Sequence, residues 1–400
     1  MTEIEYYELG ELADVTKLAG FEFTKYIKYN NYGEIIALRA SNLRRGELNL
    51  TDIKRIDRSV SELLPRSKLY VNDILLTYTG NGYGDCAIIE ENDKYHLAPN
   101  ICKIAPNVEK VVPYYLYSYI RTNEFYKIMS SHMTGSSQPT IPMKTIRVLP
   151  IPLPPMGVQK KVAEVAYCIN EKIRKNNVIN KNLEQQAQAY FNKLFIVNAD
   201  PNWPECTLSD IGSVVAGGTP SKSKPEYYAA QGIAWITPKD LSVDKSKFIS
   251  HGENDISKLG FSKSNAKKMP AGTILFSSRA PIGYIAIAQN EITTNQGFKS
   301  VIPNENIGTA YVYFLLKNLL PTIEGMASGS TFKEISGAGM KSVPTVMPDV
   351  DTIQFFSNFC EPIFKEQELL EAENKHLSAL RDSLLPKLMS GELDVSDIDI

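Results

Sequence analysis

One pattern of residues is written twice in this 400-residue chain, so any fold it adopts has to contain two copies of one module. From Gly135 to Leu194 and from Gly329 to Leu388 the copies keep a constant offset of 194, and upstream of that the offset drifts from about 200. "YELGELADV" (7–15) pairs with "CTLSDIGSV" (206–214), "IALRASNL" (36–43) with "AWITPKDL" (234–241), and "VNDILLTYTGNGYGDCAI" (71–88) with "PAGTILFSSRAPIGYIAI" (270–287). Each match is weak alone. Their conserved order and slow drift mark a duplication.

The most regular part of the repeat is helical. Val162, Ala166, Ile169, Ile173, Asn176, Asn180, Leu183, Ala187, Tyr190 and Leu194 alternate in steps of four and three, which lays out a heptad seam. Adding 194 gives Phe356, Cys360, Ile363, Gln367, Leu370, Asn374, Leu377, Arg381, Leu384 and Leu388, a second seam. Asn180 and Asn374 hold the same seam position, where a buried amide would fix the register between helices. Pro362 is expected to kink the second helix in its second turn. Before the first helix, "LPIPLPP" (149–155) reads as a stiff extended strut, with Pro155 near the first turn.

Between the helices the pattern is mixed α/β. "DILLTY", "CAIIE", "GTILFSS" and "YIAIAQ" read as strands, and "VPYYLYSYIRTNEFYKIM" and "GTAYVYFLLKNLLPTI" as helices packed on a sheet. The acidic start "MTEIEYYELGEL" lacks the basic and apolar regions of a signal peptide, and no run of about 18 apolar residues occurs, so a cytoplasmic protein with no membrane partner is expected. Five widely spaced cysteines with no CxxC suggest neither a disulfide framework nor a zinc site. The formal charge of −2 hides a segregation. Residues 349–400 hold twelve Asp and Glu against four Lys and Arg, a balance of −8 that leaves +6 for residues 1–348 and fits phosphate contact.

A body domain, a proline strut and a long heptad helix, then the same again, resembles the specificity (S) subunit of Type I restriction-modification systems. "LPIPLPPMGVQKKVAEVA" is similar to the central segment of that family and "LSALRDSLLPKLMSGEL" to its ending. The resemblance implies a target recognition domain at 1–150, a central spacer helix at 151–197, a second target recognition domain at 198–347, and a distal helix with tail at 348–400. It further implies that the helices pair as an antiparallel coiled coil related by a pseudo-two-fold repeat. Each body domain would read one half of a split double-stranded DNA site. Two adenine methyltransferase subunits and the restriction (translocase and endonuclease) subunits would dock on the chain, carrying S-adenosylmethionine, ATP and Mg themselves. Glu361, Glu366, Glu368, Glu371 and Glu373 are candidates for the methyltransferase dock.

No believable catalytic or metal site emerges. "TGNGYGD" (79–85) lacks GxGxxG spacing and reads as a turn between strands. "PD" at 348–349 with "ENK" at 373–375 mimics a nuclease motif, but Glu373 and Lys375 fall inside the seam helix on different faces. The four histidines, His96, His132, His251 and His376, are isolated in sequence.

DNA-reading chemistry is present instead. Arg39, Asn42, Arg44 and Arg45 follow a strand, and arginine forks suit guanine edges or phosphates while Asn suits adenine. The matching loop carries Thr237, Lys239 and Asp240, and different side chains imply different base preferences. Thr79, Asn81 and Tyr83 correspond to Ser277, Ser278 and Arg279. The Gly-Ser loops add Ser136, Ser137 and Gln138 in the first copy and Ser330, Thr331 and Lys333 in the second. A seam of about 33 residues at 1.5 Å per residue spans about 50 Å, or 14 to 15 base pairs between half-site centres, with six to ten left unread. Two readings from other classes stay open: a coiled-coil assembly scaffold, and the specificity half of a related system whose nuclease and methyltransferase share one partner chain.

Overall fold

The computed structural model describes residues 4–393 except Arg45, Asn81, 135–138 and 330–332. The chain divides into two compact units, one formed by residues 1–174 with 376–400 and the other by 175–375. Each unit therefore contains a part of each long helix. The central helix runs Met156–Asn192 and the distal helix Val350–Met389.

Both units are built on one sheet pattern. In the first, an antiparallel sheet has the order Ala13–Lys17, Ile101–Pro106, Ile74–Thr77, Cys86–Ile88. In the second, Gly212–Ala216, Lys299–Pro303, Ile274–Ser278 and Ile282–Ala288 follow in the same order, and the short strand Phe248–Ile249 adds in parallel at the edge. The central strands are short runs, buried throughout at Ile74–Thr77 and at Ile274–Ser278: Ile74, Leu76, Ile274 and Phe276 pack with helix residues, and Leu75 and Leu275 on the other face pack with residues of a second small set of strands. A small parallel pairing also recurs, Ile35–Leu38 with Tyr95–Leu97 and Trp235–Ile236 with Thr293–Thr294.

The proline run is a strand and not a free strut. Pro150–Leu153 pairs antiparallel with Glu5–Glu8, and Pro344–Val346 pairs with Glu205–Thr207. Prolines are tolerated because each is a two-stranded ribbon with an open edge, where a missing N–H costs no ladder bond. The ribbon ties the start of each module to the residue that launches its helix. Pro155 itself lies just outside the helix, its carbonyl accepting from the N–H groups of Val158 and Gln159.

"VPYYLYSYIRTNEFYKIM" forms two helices, Pro113–Ile120 and Asn123–Ser131. Thr122 stops the first by capping the second, its hydroxyl accepting from Phe125 N–H at 3.2 Å. The corresponding segment of the second unit is one helix, Thr309–Met326, with Pro321 inside it. The distal helix also continues through Pro362, which faces solvent where water can satisfy the freed carbonyl.

The seams pack as spaced. Val162 and Ala166 join the first unit's core beside Leu385, Leu388 and Met389, while Tyr115, Tyr119 and Phe125 fill its centre. Ala187, Phe191, Phe356, Cys360 and Ile363 join the second unit's core around Phe314. Ile169, Ile173, Leu183, Tyr190, Leu377 and Leu384 are half-buried, and Leu370 is buried. Partner numbers fall along one helix as they rise along the other: Asn170 bonds Arg381, and in the second unit Asn176 bonds Asn374 (2.9 Å) and Gln367 donates to the Asn180 carbonyl (3.1 Å). The pairing is antiparallel. The buried seam amides are Asn176 and Gln367, whereas Asn180 and Asn374, the expected pair, are half-buried.

Within the second unit one lysine fastens the sheet domain to both helices. Lys247 Nζ lies 2.7 Å from Glu184 on the central helix, 2.9 Å from Gln367 Oε1 on the distal helix and 3.5 Å from the Phe364 ring centroid. The Lys247 and Phe248 N–H groups donate to Glu371 at 2.8 and 3.2 Å. Burial pushes the Lys247 ammonium down to about 8, against the pull of Glu184. Lys247→Met leaves Glu184 with Lys317 and the Tyr313 hydroxyl and is expected to cost about 3 kcal/mol, part of which Glu184→Leu restores in the double variant, as read by denaturant unfolding. Because the folded lysine holds its proton less tightly than the unfolded one, its unfavourable contribution is complete below pH 8. It is relieved as pH rises from 8 toward the usual lysine value, so the wild-type advantage over Lys247→Met grows through that window.

Candidate nucleic-acid interface

The loops at one end of each sheet are held by the same backbone bonds at equivalent positions. Tyr78 N–H donates to Asn100 O (3.4 Å) and Ile141 N–H to Tyr78 O (3.0 Å); in the second unit Ser278 N–H donates to Gly297 O (2.7 Å) and Ile335 N–H to Ser278 O (3.1 Å). Thr134 and Thr140 exchange two backbone bonds, as do Ser328 and Glu334. Bridges Thr79–Thr140 and Arg279–Glu334 complete the match, so Tyr78 corresponds to Ser278 and Thr79 to Arg279, and the correspondence of Thr79 with Ser277 and of Tyr83 with Arg279 expected from the sequence does not hold. The strand-end turn and the residues that flank the Gly-Ser run, which the sequence presents as separate elements, are thus one knot in each unit. The turn at 79–85 lies between two strands as its glycines require, with Gly80 and Gly84 at φ +81° and +84°.

Inside this frame, several residues expected to read bases hold the loops instead. Asn42 is 1% exposed; its Oδ1 accepts from Arg39 N–H, and its Nδ2 donates to the carbonyls of Asn49 and Asp52, both at 2.9 Å. Asp240 does the equivalent work, accepting at Oδ2 from Thr237 N–H (2.7 Å) and Oγ (2.6 Å) and at Oδ1 from Glu253 N–H (2.8 Å). A short polar side chain four residues past a strand end caps the turn that follows, and while so bonded it does not face a base. Thr79 is buried against Thr140 Oγ at 2.7 Å. Ser277 and Ser278 are fully buried, bonded to Pro281 O (2.8 Å) and Gly297 O (3.1 Å).

Other candidates reach the surface. Arg44 and Lys333 are exposed. Lys239 is exposed and pairs with Glu253 at 2.6 Å, which raises its pKa. Arg39 Nη2 binds Asp52 at its carboxylate (2.9 Å) and its carbonyl (2.8 Å), and the hydrogen bond holds the Asp52 carboxyl below the usual range. Arg279 pairs with Glu334 at 3.3 Å. Tyr83 stacks on Tyr126, ring centroids 5.2 Å apart and planes 15° from parallel. Arg45, Asn81, Ser136, Ser137, Gln138, Ser330 and Thr331 lie outside the described residues.

Further residues join the loop cluster without having been singled out. Lys17 Nζ lies 5.4 Å from the Tyr78 ring centroid. In the second unit the Thr219 hydroxyl bonds Gln296, and Gly217 packs so tightly that a Cβ there would meet Asn295 O at 2.0 Å. The Gly-Gly-Thr-Pro run at 217–220 was the available signal, since such a run marks a turn built for close approach.

The nuclease-like carboxylates are used structurally. Asp349 caps the distal helix through Thr352 N–H (2.7 Å), Glu373 accepts from Asn176 (2.7 Å), and Lys375 pairs with Asp244 (3.1 Å). Among the described residues no group of His, Cys, Asp or Glu is placed to hold a metal ion. His251, isolated in sequence, pairs with Asp255 at 3.1 Å, and His96 is buried with Nδ1 2.9 Å from Leu97 O. All five cysteines are free thiols.

Asn42→Ala and Asp240→Ala are each expected to lower unfolding stability by about 1–3 kcal/mol by orphaning loop backbone groups, whereas Lys333→Ala should change it by less than about 0.5 kcal/mol; thermal and urea unfolding of the three variants separate loop-holding from surface residues.

The family model described as "Type I restriction modification DNA specificity domain" matches this chain twice, over residues 1–185 and 201–376. The Type I restriction enzyme MjaIX specificity subunit of Methanocaldococcus jannaschii is 37% identical over 179 residues, a match that spans 42% of this chain and 41% of that relative's own length. The Type I restriction enzyme HindI specificity subunit of Haemophilus influenzae is 22% identical, with 98% of this chain and all of that one covered. In fold the chain is similar to the crystal structure of the Type I restriction-modification S subunit from M. genitalium, with a TM-score of 0.59 at 16% identity, covering 97% and 96% of the two chains. Two copies of the matching module, in the order the repeat dictates, make this chain a member of the Type I restriction-modification DNA specificity family.

Proposed function

We propose that this chain reads a bipartite, asymmetric DNA sequence, one half by each unit, and performs no chemistry on it. The supporting observation is the loop knot. Its backbone framework is the same in both units while the side chains at its bridge differ: Thr79 and Thr140, bonded to each other, in one, and the partly exposed Arg279 and Glu334 in the other. A shared scaffold with divergent surface residues is what reading two unlike half sites requires, and two unlike half sites cannot form a palindrome.

Methylation and cleavage would be the work of partners. Two adenine methyltransferase subunits and the restriction subunits are proposed to dock on the chain and to bring S-adenosylmethionine, ATP and Mg with them. The central helix, 37 residues at 1.5 Å each or about 55 Å, is the proposed spacer that sets the unread gap. Among the described residues no helix is long and apolar enough to cross a membrane, which agrees with a proposed place in the cytoplasm beside the DNA.

The test is to co-express the chain with the methyltransferase encoded beside it and map methyladenine across the host DNA by single-molecule sequencing. A split, asymmetric motif is expected, and Arg39→Ala should relax base preference in one half only. A soluble complex with wild-type chain that leaves no methylated motif would overturn DNA reading and favour an assembly scaffold.

A further inference from the structure

The knot of the second unit contains a chain of charges that the first lacks. At the equivalent positions the first unit has Thr79, Thr140 and Cys102, and the second has Arg279, Glu334 and Lys299. Lys299 is at the bottom, its side chain 10% exposed, with Nζ 3.4 Å from Glu334 Oε1, 3.3 Å from Ser278 Oγ and 3.4 Å from Gln296 O. Glu334 sits above it, its backbone bonded on both sides to Ser328. Its other carboxylate oxygen, Oε2, accepts from Arg279 Nη1 at 3.3 Å. Arg279, with 38% of its side chain exposed, is at the top.

Two physical points decide what such an arginine suits. A guanidinium is a rigid fork, and a carboxylate bonded to one of its nitrogens narrows its orientations before any ligand arrives, so less freedom is lost on binding. The partner is then selected by charge. Glu334 would repel a phosphate approaching Arg279, whereas the O6 and N7 edge of guanine carries no formal charge and matches the fork with two acceptors. Phosphate contact is better served by a cation without a carboxylate beside it, and Lys333, exposed next to Glu334 in the chain, is the other cation of this segment.

We propose that Arg279 reads a guanine at one position of the half site recognised by the second unit, with Glu334 as the positioning residue and Lys299 as its anchor. This rests on the DNA-reading function proposed above. The first unit has no arginine at the equivalent turn, so its half site is not read by this device.

The test compares wild type with Arg279→Ala, Arg279→Lys and Glu334→Gln, each as the full chain co-expressed with the neighbouring methyltransferase, by methyladenine mapping. The wild-type motif is expected to contain a guanine that Arg279→Ala renders degenerate, with roughly ten-fold or greater loss of preference at that position and none elsewhere. Glu334→Gln should weaken the preference at the same position, which a merely structural role would not confine to one base. A motif unchanged by Arg279→Ala overturns the inference and leaves DNA reading intact. So does a loss spread evenly over all sites and recovered at low salt in binding assays with the same DNA, because that is the signature of a phosphate contact. If Arg279→Ala abolishes methylation altogether, Arg279→Lys decides: relaxation at one guanine supports the inference, and an unchanged motif or total loss counts against it. Absence of any motif with the wild-type chain would defeat the underlying function instead.

Discussion

Everything in this chain depends on the apolar seam shared by its two long helices. A heptad stripe cannot be left in water, and the central and distal helices remove it by lying antiparallel, with residues such as Asn176 and Asn374 meeting across the seam. Each unit then takes a part of each helix into its own core. Phe191 and Phe356 are as much part of the second unit's interior as Phe314 is, and Val162 and Leu388 belong to the first unit's. A module cut off before its helix would expose that face.

Polar contacts add specificity to a seam whose affinity is hydrophobic. The Asn176 amide nitrogen donates to Glu373 and Asn374 of the other helix, so a slipped register would bury those N–H groups unpaired. Lys247 does the same between sheet domain and helices. Its ammonium is costly to bury, and the cost is offset only where Glu184, Gln367 and the Phe364 ring meet it together, which ties the position of the edge strand Phe248–Ile249 to both helices.

The loop knots divide labour in a way that composition conceals. Small polar residues at strand ends, Asn42, Thr79, Asp240, Ser277 and Ser278, satisfy backbone groups and fix the frame, and charged residues on longer side chains stand on it. The frame can stay constant while the residues above it change. In a family defined by DNA specificity, that separation lets binding preference diverge without refolding the domain.

The sequence by itself determined the duplication, the α/β character of the modules, the strands at Ile74–Thr77 and Ile274–Ser278, and both helical seams, because periodicity and offset are properties of residue order. It also excluded the nuclease-like carboxylates, since their places on a helix follow from spacing alone. Only the tertiary structure decided that the proline run is a strand, because its partner Glu5–Glu8 is far away in sequence. It likewise separated Asn42 from Arg39, two neighbours with the same polar promise, by burying the first on the Asn49 and Asp52 carbonyls and leaving the second partly exposed with one side of its guanidinium on Asp52. Polarity tells which residues can donate and accept. Which of them spend those bonds on their own loop, and which keep them for a ligand, is set by residues that only folding brings near.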